Sequence, residues 1–384
     1  MKKTNKVLPI SVYILFILLL FYSSSGCVRA RNSSNLKPNI IDEPATESID
    51  PTDTVILPSP TIDNKSENLS EKIVSLIPIT ADNIQHIEEL VSVSVSNAKE
   101  FIWLKFGELI VISTDSRIIN FDTVSLNEIK GVETAIDTPT LLTGSNSGNT
   151  YGWKDVNNVM YSITEARVNH GATKTVIESP ISSLAVSVND EYLAVSTVDG
   201  SLLVLDSSTM GIINSWEYPF WLSNLSFSPD DSLIAGVDSS EFALFFIDSV
   251  AGEIINELSW MDSASPILYG AYLSPGWKNV AWVARGTVQL MDVESGNYGP
   301  ALYHEDAVNK VAWSDDGDLI ATTSIVTTNG DYSPAVFIWD ADSGEMLNTL
   351  KFQEVPIDIS FSPDGLMLGI LLNSGKFLSW GISN

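Results

Sequence analysis

The sequence is poor in the residues from which most reactive centres are built. Among 384 residues there is one cysteine, Cys27, and there are three histidines, His86, His170 and His304. One cysteine excludes a disulfide framework and any zinc site made of thiolates. The histidines stand far apart, with no pair at metal-ligand spacing. No Gly-x-Ser-x-Gly elbow, glycine-rich phosphate loop or EF-hand pattern occurs. Neither a metal nor another cofactor is expected. Cations are scarce as well, 20 Lys plus Arg against 48 Asp plus Glu, for a formal charge of −28. So anionic a chain repels nucleic-acid phosphates and anionic headgroups, and polyanions are not expected as partners.

What is present begins with Lys2, Lys3 and Lys6, followed by an apolar run from Val7 to Tyr22 and then SSSGC. That is the layout of an export signal, and the run is short of the roughly 20 residues of a membrane span. Cys27 directly after Ser25 and Gly26 resembles the lipobox of bacterial lipoproteins, with Ser24 where leucine is usual. The resemblance implies a signal peptide over 1–26, lipidation of Cys27, and an extracytoplasmic protein held to the membrane by its lipid. An uncleaved N-terminal anchor and a secretory signal with a coincidental cysteine are the alternatives. All three place the body outside the cytoplasm. Loss of residues 1–26 would remove three lysines and take the charge to −31. Residues 27–71, rich in Ser, Asn, Thr, Pro, Asp and Glu, cannot bury enough apolar surface to offset ordering and read as a flexible tether.

Beyond the tether a short turn returns: VSVND at 186–190, FSPDD at 227–231, YLSPG at 272–276, WSDDG at 313–317 and FSPDG at 361–365. Each lies between apolar runs, with Ser, Pro, Asp and Gly where a type I turn favours them. The apolar anchors before the turns are Val186, Phe227, Leu273, Trp313 and Phe361, spaced by 41, 46, 40 and 48 residues. Weaker anchors at Trp103 and Trp153 make seven, with a mean interval of 43. A four-stranded unit consumes about 40–45 residues.

Within a unit one strand enters the turn and a nearly continuous apolar strand leaves it, as in SLIAGVD or LIATTS. Lack of alternation there suits strands covered on both faces. A third strand ends in aspartate, at Asp122, Asp206, Asp248, Asp292 and Asp340, and a second small-residue turn leads to a fourth strand. Helical periodicity is absent. The second unit lacks a clean third-strand aspartate, which leaves six or eight units open. The last unit supplies three strands, and an unpaired edge invites aggregation. Ile84–Val95 matches the fourth strands, so it is expected to pair there and join the two ends of the domain.

The region 79–384 resembles the WD-repeat β-propellers. His304, followed after three intervening residues by Val308 in HEDAV, the turn WSDDG and the pair Trp339–Asp340 carry the likeness best, and the other units keep only the aspartate. The resemblance implies an all-β fold, a propeller of seven blades with four antiparallel strands each, closed by an N-terminal strand. It also implies that His304 makes a structural hydrogen bond within its blade. Function then rests on analogy of fold. The expectation is a non-catalytic binding platform for an envelope protein, peptide or glycan, and a monomer. A hydrolase or lyase with its site at the channel mouth, and a structural assembly factor, are the alternatives.

Few residues argue for chemistry. His86 falls on the expected closing strand and His170 in a loop of the odd second unit. Turn aspartates such as Asp230, Asp316 and Asp364 read as caps of their own backbone. Trp153, Trp216, Trp221, Trp260 and Trp277 lie near turns, either sealing grooves between units or forming a contact rim.

Overall fold

A computed structural model describes residues 61–62, 75–104, 107–115, 117–123, 128–129, 139–145, 150–163, 172–260, 268–328 and 331–384. The export signal, Cys27, most of the expected tether and His170 lie outside the described residues.

Seven antiparallel sheets follow one another along the chain. The first is built from Ala98–Leu104, Leu109–Thr114, Ile118–Asp122 and Glu128–Ile129. Blade 3 shows the regular case, Ile181–Val186, Tyr192–Thr197, Ser201–Asp206 and Ile212–Glu217, paired in chain order. Seven apolar clusters of buried residues fill seven gaps, each drawing from two successive blades, including the gap between the last blade and the first. The second strands are the most buried, as in Leu109–Thr114 and Met367–Leu372, where all six residues are inaccessible. Unbroken Val, Ile and Leu are stable there because both sheet faces are covered by neighbours.

The recurrent turn is fixed by its serine. Ser228, Ser314 and Ser362 each accept a hydrogen bond from the backbone N–H five residues on, at 2.9, 2.8 and 2.9 Å. Each also donates to an aspartate two residues on, Asp230, Asp316 and Asp364, at 2.7, 2.6 and 2.5 Å. Ser187 and Ser274 take the same backbone bond. The fourth turn residue has positive φ: Gly317 at 78° and Gly365 at 70°, Asp190 and Asp231 at 66° and 59°, and Trp277 at 56°. Glycine and short polar side chains take that region most readily.

The last blade holds Pro356–Phe361, Met367–Leu372 and Lys376–Ser383 from the C-terminal end, and its fourth strand, Glu88–Ser94, comes from the N-terminal side. Ser94 pairs with Lys376 and Glu88 with Gly381. The closing strand is therefore where the sequence places it, but shorter than Ile84–Val95. Ile84–His86 form a 3₁₀ turn instead, with exposed His86 on it. The cause is local: Asn83 accepts from Thr80 N at 2.8 Å and donates to the Pro78 carbonyl at 2.9 Å, while Ile84 is buried in the gap between blades 6 and 7. Thr61–Ile62, within the span expected as tether, pairs with Ser94 and Val93 on the outer edge of this sheet.

Blade 2 departs from its expected register. Trp153 lies in the second strand, Tyr151–Asp155, and the inner strand is Pro139–Gly144. Gly144 ends the inner strand because Ile102 and Leu104 of blade 1 fill the space of a side chain; a Cβ there would lie 2.6 Å from Ile102 Cδ1. The large residue moves one strand outward, where Trp153 stacks between Tyr151 and Tyr161 at 5.7 and 5.2 Å. The blade's aspartate, Asp155, ends the second strand and caps the hairpin through Asn157 N and Val159 N at 2.8 and 3.0 Å.

Candidate functional site

The first strand of each blade lines the central channel, and its alternation decides what faces inward. In Lys310–Trp313 the residues Val311 and Trp313 are buried between blades, whereas Lys310 and Ala312 are half-buried. The same alternation places Leu225 and Phe227 in the gap and Asn224 and Ser226 toward the channel in blade 4. In Pro356–Phe361, Ile359 and Phe361 are buried and Asp358 and Ser360 face inward. A strand's period of two requires this once the apolar anchors enter the gaps.

Three residues before each anchor, these strands present polar groups: Glu100, Ser183, Asn224, Lys310 and Asp358, with Gly270 in blade 5. Each of the carboxylates reaches the next blade. Asp358 Oδ2 accepts from Phe101 N at 3.1 Å, and Glu100 Oε2 from Leu142 N at 2.8 Å. Ser183 Oγ does the same for Leu225 N at 3.0 Å. Inner strands have one free edge, and these side chains satisfy its N–H groups where no strand can. Lys310 Nζ meets Asp358 Oδ1 at 3.2 Å. Asn224 bonds the Tyr272 hydroxyl, and Gly270 leaves room for both.

Burial shapes the charges of this ring. It pushes the Glu100 carboxyl up, and nearby Asp358 adds to the rise against the Leu142 N–H and Lys310. Burial also pushes Asp358 up, opposed by Lys310 and the Phe101 N–H. For Lys310 burial disfavours the ammonium, but Asp358 and Glu100 outweigh it and hold the pKa above the ordinary lysine value. Tyr272 is raised by burial as well.

Above this ring a cavity of about 610 Å³ opens on the face of the recurrent turns. Its lining includes Asn224, Phe227, Tyr272, Trp277, Trp313 and Asp315. It is roomy because two of the inward positions next to the anchors are small, Ala185 and Ser226. Its size falls within the usual range of ligand pockets.

The residues singled out in the sequence serve mainly the frame. His304 Nε2 lies 2.7 Å from Thr322 Oγ1, which also accepts from Trp339 Nε1 at 3.0 Å, a bond that ties the connection after blade 5 to the second strand of blade 6, within one sequence repeat. Burial lowers the His304 pKa to about 4. Asp206, Asp292 and Asp340 each bond the backbone and hydroxyl of a residue in the following turn, and Asp248 bonds two backbone N–H groups there. These bonds, from Ser208 for Asp206, Ala251 for Asp248 and Ser295 and Ser343 for the others, hold all four carboxyls below the ordinary range. Trp153 is 0% exposed and Trp260 7%. Trp216 covers Gly252 of the next blade, and Trp277 packs edge-on to Phe246 at 5.5 Å. Four of the five tryptophans thus seal grooves, and Trp221 alone of them is 52% exposed. Among the described residues no group of three or more His, Cys, Asp or Glu could hold a metal.

The sequence did not single out Glu100, Lys310, Asp358, Asn224 or Tyr272. Their signal was the register: four of them lie three residues before Trp103, Trp313, Phe361 and Phe227.

The family profile described as WD domain, G-beta repeat matches residues 302–340, the blade that carries His304 and Trp339. No curated protein matches the chain. Among solved structures the chain is similar to the Cps50 (Swd1) β-propeller domain of Myceliophteria thermophila, with a TM-score of 0.64 and 12% identity. That likeness covers 77% of this chain and 100% of that one. The chain folds as a WD-repeat-like β-propeller of seven blades.

Proposed function

We propose that the protein is a non-catalytic binding platform, carried outside the cytoplasm and held to a membrane by a lipid on Cys27, that presents the channel mouth to an envelope protein, peptide or glycan. The observation that carries this reading is a closed ring of blades whose inward carboxylates are spent on stitching blades, beneath an open cavity of about 610 Å³. WD-repeat propellers are protein-interaction scaffolds as a class, which supports the same reading by analogy of fold. The export signal and the cysteine after Gly26 support the anchor.

A channel hydrolase is the second reading, favoured by Glu100 and Asp358, two carboxyls raised by burial. Each is tied to a backbone N–H, and Asp358 also to Lys310, which leaves little freedom for proton transfer. Chemical cross-linking in detergent-solubilised membranes, with the partner identified by mass spectrometry, tests the platform. A stoichiometric partner cross-linked around the mouth is expected, and hydrolysis lost on Glu100→Gln would favour the enzyme instead. Cys27→Ser should release the protein to the soluble fraction; retention on the membrane would end the lipoprotein reading.

A further inference from the structure

The cavity mouth is negatively charged and short of compensating cations. Asp315 lines it, and burial together with the charges of Asp316 and Asp364 pushes its carboxyl up. Asp316 and Asp364 are occupied by the serines of their turns, whereas the Asp315 carboxylate takes part in no hydrogen bond or ion pair among the described residues. Lys278, on the neighbouring blade, bears on Asp318 and Asp292 rather than on Asp315. Deeper in, the cavity offers the acceptors of Asn224 and Tyr272 on walls that include Phe227, Trp277 and Trp313. Lys310, the one cation among the described residues of the channel ring, is paired with Asp358 and faced by Glu100, so that level is net anionic too.

An anionic ligand would meet repulsion at every level, and a bare metal ion would find too few ligands. An organic cation fits: its charge answers Asp315, its apolar stem lies along the aromatic wall, and aromatic faces attract cations in their own right. We propose that the mouth receives a lysine or arginine side chain presented by an extended segment of a partner protein, its charged end paired with Asp315 and its stem against Trp277. This rests on the platform reading and names its ligand class.

The test titrates the full-length protein with the peptides acetyl-Gly-Gly-Arg-Gly-Gly-amide and its Lys and Glu counterparts, following the indole N–H resonances of Trp277 and Trp313. The Arg and Lys peptides should shift these signals saturably and the Glu peptide should not. Asp315→Asn should weaken the binding about tenfold, the size of one charge-assisted bond. Ser226→Trp, which fills the cavity, should abolish it. Asp315 is exposed, so its variant keeps the question decidable if Ser226→Trp does not fold. Unmoved indole signals, equal shifts with the Glu peptide, or shifts that persist unchanged in the variants would overturn the proposal. A protein partner whose cross-links map to another face would overturn it together with the mouth as contact site, while leaving a binding platform that uses that other face. Peptide binding without any membrane partner would do the reverse.

Discussion

His304 shows how far a residue's surroundings set its chemistry. Its ring is neutral in the fold because burial opposes the imidazolium, and Thr322 can donate its hydroxyl to Nε2 while accepting from Trp339. With a folded pKa of about 4 against an ordinary 6.5, the unfolded chain takes up a proton first as pH falls. The stability His304 protects is therefore complete above pH 6.5 and is lost progressively toward pH 4, by an amount on the order of 3 kcal/mol. Urea unfolding of the protein and of His304→Gln at pH 7 and pH 4 should show the difference between the two shrinking by about that much on acidification. A difference independent of pH would show that the ring is not held neutral. The capped aspartates act at lower pH with the same sign: Asp230, lowered to about 2 by the hydroxyls of Ser232 and Ser228, supports the fold above the ordinary range and ceases to do so as pH falls toward 2. At this scale the sequence was legible where a side chain bonds its own neighbourhood, as with Asp206 and Asp340. It was silent where the partner lies on another blade, as with Asp358 and the Phe101 N–H 257 residues away.

Among elements, the turn between first and second strands is the unit that repeats, and its informative residue is the serine rather than the proline or glycine. Ser362 is 0% exposed and its hydroxyl holds two bonds: it accepts from Met367 N at 2.9 Å and donates to Asp364. Removing the hydroxyl strands a buried N–H, so Ser362→Ala is expected to cost about 1–3 kcal/mol. Pro363→Ala, which touches only the conformational entropy of the unfolded chain, is expected to cost no more than about 1 kcal/mol. Denaturant melts of the two variants check the ordering, and equal losses would return the weight to the proline. The strands were readable because their apolar runs agree with burial on both faces. Blade 2 was misregistered for a physical reason: Gly144 makes room for Ile102 and Leu104, so the aromatic that marks the inner strand in blades 1, 4, 6 and 7 sits one strand out at Trp153. No count of spacing alone could carry that, since the compensation lies between blades.

For the propeller as a whole, everything turns on the seam where the first and last parts of the chain share one sheet. A ring of blades leaves no open sheet face only if every gap is filled, and the gap between blades 7 and 1 depends on a strand from each end of the domain. That seam is built redundantly. Glu88–Ser94 pairs along Lys376–Ser383, Phe101 and Phe377 meet edge to face at 5.0 Å, Trp103 Nε1 donates to the Ser360 carbonyl at 3.1 Å, and Asp358 caps Phe101 N. Of these, the strand pairing contributes most apolar burial, because Leu90, Val91, Val93 and Val95 are all nearly inaccessible. At about 1.5–3 kcal/mol for each side chain, their loss would remove roughly 6–12 kcal/mol as an upper bound, comparable with the whole stability of a typical domain. Removing residues 28–70 should therefore leave cooperative unfolding nearly unchanged, apart from the two-residue pairing of Thr61–Ile62. Removing residues 28–96 should abolish it and expose the edge of Lys376–Ser383 to aggregation. Calorimetry and light scattering on the two truncations separate the cases. Equal melting of both would mean that the ring stands without its closing strand, and that the other seam contacts suffice to hold blade 7 against blade 1.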